Sequence, residues 1–210
     1  MEFKNLIIRI FSSTIFILIY IFLSLKYPHK IFHFISIIYI IIFFEILFYF
    51  PKKRIYIITY LLISYICLII YFNVRFDNMA FTIILLCIIC FDSFCYFIGK
   101  SFGKHKLFFK ISPNKTYEGL VGGILVTNLF TVYLYSFTEL INTTSYLNII
   151  LFTNVIILFS FFGDLLQSYF KRSNKLKDSS NFIPGHGGFF DRFDSFLLVI
   201  IPFSIMKILI

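Results

Sequence analysis

The chain has 210 residues, of which 60% are hydrophobic, 22% aromatic and 14% charged, and Lys plus Arg number 19 against 10 for Asp plus Glu, a formal charge of +9. Soluble domains run nearer half apolar and a quarter charged, so this composition excludes a soluble domain, a disordered chain and a coiled coil. Four cysteines in a chain of this length also exclude a disulfide scaffold, which leaves a polytopic helical membrane protein. The 32 Phe, the lack of Trp and the many Ile, Asn, Lys and Tyr residues match the codon bias of an A/T-rich genome, so the aromatic excess does not mark a stacking site.

A transmembrane helix needs about 20 apolar residues to cross a hydrocarbon core of about 30 Å. Seven windows meet or approach that length: 6–24, 31–50, 55–72, 80–98, 120–140, 147–170 and 196–210. Turn and charge signals separate them, such as Tyr27-Pro28-His29-Lys30, Pro51-Lys52-Lys53-Arg54 and Asn73-Val74-Arg75-Phe76-Asp77-Asn78. The last window is the shortest and contains Pro202. The first follows Lys4 but ends at Leu25-Lys26-Tyr27-Pro28 with no small-residue cleavage site, so it is expected to be an uncleaved helix.

Orientation follows from the basic residues. With the N-terminus in the cytoplasm, the inside segments hold Lys4, Arg9, Lys52, Lys53, Arg54, Lys100, Lys104, Lys106, Lys110, Lys115, Lys171, Arg172, Lys175, Lys177 and Arg192, which is 15. The outside segments hold Lys26, Lys30, Arg75 and Lys207, which is 4. The expected fold is therefore all-α, about seven transmembrane helices with a cytoplasmic N-terminus. It forms one membrane domain over 1–210, in which 1–79 supplies the N-terminal spans and 80–210 a catalytic part with cytoplasmic loops 99–119 and 171–195.

Cys67, Cys87, Cys90 and Cys95 all lie in apolar stretches. Cys87 and Cys90 form a C-x-x-C, but no second pair or His lies near, so they read as inert buried thiols. No internal repeat is evident, which weakens a transporter reading.

The chemistry concentrates at the end of the sixth window and after it. On a helix Asp164, Ser168 and Lys171 fall at i, i+4 and i+7, placing a carboxylate, a hydroxyl and an ammonium on one face. An Asp in a membrane helix costs up to about 3 kcal/mol, less toward the interface, so it persists for a reason. That reason is either a structural pair with Lys171 or a functional site. Lys175-Leu176-Lys177-Asp178, Ile183-Pro184-Gly185-His186-Gly187-Gly188 and Asp191-Arg192-Phe193-Asp194 then add carboxylates, a His and three glycines. Asp191 and Asp194 are i, i+3 and would point the same way at a helix start. Gly185, Gly187 and Gly188 let backbone amides approach phosphate oxygens. Carboxylates without clustered Cys or His select a hard cation, Mg²⁺ over Zn²⁺, and neighbouring lysines select a polyphosphate. Together these features point to metal-dependent phosphoryl or nucleotidyl transfer.

The run Ser168-Tyr169-Phe170-Lys171-Arg172, then Lys177-Asp178, then Pro184-Gly185-His186-Gly187-Gly188-Phe189-Phe190-Asp191-Arg192-Phe193-Asp194 resembles the signature of the phosphatidate cytidylyltransferases, or CDP-diacylglycerol synthases. An upstream stretch agrees: Asp92-Ser93-Phe94-Cys95-Tyr96-Phe97-Ile98-Gly99-Lys100, Gly103-Lys104 and Ile111-Ser112-Pro113-Asn114-Lys115-Thr116-Tyr117-Glu118-Gly119. The resemblance covers roughly the C-terminal 120 residues. It implies the reaction CTP + phosphatidate → CDP-diacylglycerol + diphosphate with Mg²⁺. Carried over by position, Asp164 and Asp191 match the family's metal carboxylates, and Ser168, Lys171 and Asp194 match residues around them. Many members carry one or two more leading spans, so the chain is expected to be short at its N-terminus.

Further expected substrate contacts are Asp92, Lys100, Lys115, Glu118, Arg172, Lys177, Asp178, Gly185, His186, Gly187, Gly188 and Arg192. Asp92 lies about 9 Å inside the end of its span, where it either snorkels with Lys100 or completes the site with Lys115 and Glu118. His186 reads as a structural or nucleotide contact rather than a base, and Asp178 as a further ligand or a residue behind one. Gly119, Gly122 and Gly123 suit close helix packing, within the chain or along a homodimer seam. The implied partners are CTP, phosphatidate and membrane lipid, with no nucleic acid. The implied location is the inner membrane of a bacterium, with the active site facing the cytoplasm. The competing readings are a CTP-dependent kinase of a polyprenol-type alcohol and an ion or phosphate transporter built on Asp92 and Asp164.

Overall fold

A computed structural model describes residues 2–74, 76–109, 111–136, 145–182 and 187–209, with side chains described from residue 14 to residue 206. Its element order is α1 (Glu2–Lys26), α2 (Lys30–Tyr49), α3 (Arg54–Asn73), α4 (Asn78–Phe102), β1 (Lys106–Phe108), β2 (Ser112–Thr116), α5 (Tyr117–Ser136), α6 (Tyr146–Ser173) and α7 (Phe190–Leu209). Among the described residues every apolar window is a helix, and α2 to α6 are long and apolar enough to cross a membrane. The protein is thus a helical, multi-pass membrane protein.

The chain divides into two compact units: residues 1–78 with 169–210, and residues 79–168. In the first, α3 packs against α7 and α2. The interior there is made of Ile31, Ile38, Ile42, Ile46, Ile57, Leu68, Tyr71, Leu197 and Ile200, all nearly or wholly excluded from the surface. Helix α2 is rich in Ile and Phe, with Glu45 near its end, and stops before Pro51. Lys53 then adopts the left-handed region, φ 59°, and turns the chain into α3. Asn174 ties this turn down: its Oδ1 accepts from the Lys52 amide at 2.7 Å and its Nδ2 donates to the Lys52 carbonyl at 3.0 Å. Lys53 lies over the Tyr169 ring, 3.9 Å from its centre, and hydrogen-bonds the Tyr169 hydroxyl.

In the second unit, residues 99–119 hold more than the expected loop. Helix α4 runs to Phe102, and β1 and β2 then pair as an antiparallel hairpin with Lys106 opposite Thr116. Thr116 caps α5, its Oγ1 accepting the Gly119 amide at 3.1 Å. The three glycines that open α5 serve packing within the chain. A Cβ on Gly119 would lie 2.6 Å from the Cys95 carbonyl oxygen and 3.0 Å from the Gly99 Cα, so α4 and α5 meet backbone to backbone. Asn128 and Asn154 bond to each other between α5 and α6, Asn154 donating at 3.1 Å. Cys87 and Cys90 are buried free thiols that contact the hydroxyls of Thr131 and Thr127.

One boundary differs from the sequence reading in a way that bears on the site. Helix α7 begins at Phe190, not at residue 196, so Asp191 sits in its first turn rather than ahead of it. The described part of α5 ends at Ser136, and residues 137–140 of the expected span lie outside the described residues.

Candidate functional site

In the second unit α4, β2 and α6 enclose a cavity of about 160 Å³. Asp92, Cys95 and Tyr96 of α4, Ser112, Asn114, Lys115 and Thr116 of β2, and Phe161 and Asp164 of α6 line it. Lys115 reaches across to Asp164, with Nζ 2.8 Å from Oδ2, and the same Nζ lies over the Phe161 ring, 4.4 Å from its centre. The other Asp164 oxygen accepts the Ser168 hydroxyl at 3.2 Å, as the i, i+4 spacing requires. Asp92 faces the same space and accepts from Ser160 at 3.4 Å. Lys100 instead lies toward the Tyr96 ring, 5.9 Å from its centre. Glu118 holds the base of the hairpin, accepting from the His105 amide at 3.3 Å and meeting His105 Nδ1 at 2.6 Å.

The first unit holds a second carboxylate and ammonium pair. Lys171 Nζ is 2.7 Å from Asp191 Oδ1, and both side chains are largely buried, 15% and 9% exposed. Asp191 Oδ2 accepts the amides of Ser179 at 2.7 Å and Gly188 at 3.2 Å. The partners therefore differ from those expected by helix spacing: Asp164 is paired by Lys115 and Lys171 by Asp191. Asp194 lies three residues after Asp191 at the start of α7, and its Oδ1 accepts the Ser195 amide at 2.8 Å.

Gly187 has φ +81°, a region favouring glycine, and a Cβ there would lie 2.8 Å from Asp191 Oδ2 and 3.3 Å from the Asp178 Cβ. Arg172 donates to the Leu176 carbonyl at 3.2 Å, and Lys177, Asp178 and Arg192 are exposed. Gly185 and His186 lie outside the described residues.

Glu45 escaped the sequence reading. It is wholly buried in α2 and accepts from Ser180 Oγ at 2.6 Å, Ser179 Oγ at 3.3 Å, the Phe189 amide at 2.8 Å and the Phe190 amide at 2.9 Å. The available signal was a lone acid in an apolar span, which is costly unless something holds it.

No group of three or more His, Cys, Asp or Glu is gathered among the described residues. The donor set nevertheless suits a hard cation, which takes one or two carboxylates and completes its shell with water and phosphate oxygens. Asp92 and Asp164 line one cavity, and at both Asp164 and Asp191 a lysine ammonium stands where a cation would sit.

The model of the cytidylyltransferase family matches residues 2–209. Among curated proteins, the chain is 44% identical over 123 residues to a phosphatidate cytidylyltransferase of Bacillus subtilis, a match covering 58% of this chain and 45% of that protein. It is 42% identical over 138 residues to the Staphylococcus epidermidis protein of the same name, covering 64% and 50%. A further match is 42% over 132 residues to that of Staphylococcus aureus, covering 61% and 47%. The chain spans about half the length of the curated relatives it matches. With the family model matched from residue 2 to residue 209, the chain belongs to the cytidylyltransferase family.

Proposed function

We propose that the chain is a phosphatidate cytidylyltransferase, converting CTP and phosphatidate to CDP-diacylglycerol and diphosphate. The observation that carries this reading is the pairing of each carboxylate assigned to metal with its own largely buried lysine, Asp164 with Lys115 and Asp191 with Lys171. The names of the relatives agree with it.

A phosphatidate phosphate is anionic near neutral pH and can attack without a strong base. One of its oxygens forms a bond to the α-phosphorus of CTP while the bond from that phosphorus to the bridging oxygen breaks, and diphosphate leaves with the electron pair. The barrier is the approach of one anion to another, so positive charge placed beforehand is what the protein has to supply. Lys115 is held by Asp164 and by the Phe161 ring, so its ammonium is oriented before any substrate arrives. Lys171 is oriented in the same way by Asp191.

Mg²⁺ is the proposed cofactor: in the second unit Asp164, with Asp92 beside it in the cavity, would hold it, and Asp191 is the carboxylate proposed for it in the first unit. Bound there it supplies charge neutralisation for the phosphate oxygens. A lysine whose carboxylate holds a cation is free to bond a phosphate oxygen. Tyr96 and Phe161 give the cavity an apolar wall beside the lysine and carboxylate. The proposed setting is the bacterial inner membrane with the site toward the cytoplasm, as the 15 to 4 distribution of basic residues favours.

The test uses protein purified in detergent with phosphatidate, Mg²⁺ and CTP labelled at either the α- or the γ-phosphate. The α-label is expected in lipid and the γ-label in diphosphate. Entry of γ-label into lipid would instead identify a kinase, and no label in lipid would refute the activity.

A further inference from the structure

Helix α7 starts without a cap of its own. The first amides of a helix lack partners within it, and Ser, Thr, Asp or Asn ahead of the first turn commonly supply one. Here the preceding residues are Gly187, Gly188 and Phe189, none of which carries a side-chain acceptor. Glu45 supplies the acceptors from another helix, taking the Phe189 amide on Oε1 and the Phe190 amide on Oε2. Its negative charge also stands at the positive end of the α7 dipole.

The same carboxylate holds the far side of the loop, through Ser180 Oγ on Oε1 and Ser179 Oγ on Oε2. Ser179 is shared, since its amide donates to Asp191 Oδ2 while its hydroxyl donates to Glu45. Gly188 leaves the space in which Glu45 sits: a Cβ there would lie 2.6 Å from Glu45 Oε1 and 2.6 Å from Ser180 Oγ. Two largely buried carboxylates thus bond the same stretch of chain and share Ser179, and the residue next to the Phe190 amide is Asp191.

We infer that Glu45 is a positioning residue for Asp191, fixing the start of α7 and the Ser179 amide so that the Asp191 and Lys171 pair stands ready for phosphate. Its catalytic consequence rests on the proposed cytidylyltransferase reading. The strap itself rests only on the contacts within this unit.

Two measurements on Glu45→Gln, Glu45→Asp and Ser180→Ala, all in detergent, separate these levels. Amide hydrogen exchange reads the strap. Exchange at Phe189 and Phe190 is expected to rise at least about tenfold in Glu45→Gln, with that of α3 unchanged, because the amide turns donors toward donors. Ser180→Ala, a milder change, is expected to raise it about two- to tenfold. Turnover of labelled CTP into lipid reads positioning. In Glu45→Gln kcat is expected to fall about 10- to 100-fold with the KM for phosphatidate within about twofold, and Glu45→Asp should recover part of the loss.

Unchanged exchange in both Glu45→Gln and Ser180→Ala would overturn the strap. Faster exchange with full turnover would overturn the positioning role and leave Glu45 a structural residue. If the unaltered protein transfers no label, the catalytic reading falls and with it that role, while exchange still decides the strap.

Discussion

Asp191→Asn keeps the shape of the side chain and removes its charge, and the contacts fix what that should cost. The amide has two orientations. With its nitrogen toward Ser179 and Gly188, a donor faces two backbone donors now 2.7 and 3.2 Å from Oδ2. With its nitrogen toward Lys171, the two backbone bonds survive but a donor faces an ammonium now 2.7 Å from Oδ1. The second is cheaper, because Lys171 retains 15% exposure and can turn partly to water. Breaking a fully buried pair costs about 3 to 5 kcal/mol and an exposed one about 0 to 1, so this site should cost about 2 to 3 kcal/mol. For a chain of this size that is a drop of about 4 to 12 °C in the thermal midpoint in detergent. Turnover should fall by far more than the folded fraction, because Asp191 is also a proposed metal carboxylate. Asp77→Asn, an exposed position between α3 and α4, should change neither quantity. A midpoint within about 1 °C of the parent would refute the anchoring role of Asp191 inferred from these contacts. Near-parental turnover in folded Asp191→Asn at saturating Mg²⁺ would refute its place in the reaction.

Two other measurements bear on the frame around the site. Gly119→Ala places a methyl against immobile backbone of Cys95 and Gly99, which should cost about 1 to 3 kcal/mol against a gain of about 1 in helix propensity. For Gly122→Ala the three nearest atoms all belong to the Ile98 side chain, its Cδ1 at 2.5 Å and its branched Cγ2 at 2.8 Å, with no backbone among them, so its thermal midpoint should fall less than that of Gly119→Ala. The reverse ranking would refute the backbone contact of α4 and α5. For orientation, Lys177→Cys should resist a membrane-impermeant thiol reagent in intact cells and react after permeabilisation, whereas Lys30→Cys should react in both. Both positions are exposed, and the opposite pattern would reverse the topology.

Hydropathy located the helices well because each span needs a run of apolar residues whatever it packs against. It failed at the start of α7, where Asp191, Arg192 and Asp194 read as loop although the backbone is already helical. The cause is that the acceptors for that helix end come from Glu45, more than 140 residues earlier in the chain. The hairpin of residues 106–116 was also illegible: strands of three and five residues containing Lys, Asn and Pro carry no alternating apolar pattern. At the site the residue types were legible and the pairings were not. Helix spacing offered Lys171 as the partner of Asp164, but Lys115 arrives from β2, and no periodicity along α6 reports a contact made by a hairpin 46 to 49 residues upstream.

The acceptor in α2 and its donors beyond α6 are made at very different moments of synthesis. Glu45 and Ser179 are 134 residues apart, which at about 5 to 20 residues per second is roughly 7 to 27 s of translation. Throughout that interval α2 has an acidic side chain in the bilayer with none of the hydroxyls or amides that later surround it. The translocating machinery, a neighbouring nascent helix or water at the interface must accommodate it until the ribosome has released α7. The contacts of Glu45 within the first unit are therefore completed only once residues 179 to 190 have been made, and a chain stalled before residue 179 carries this acid without them.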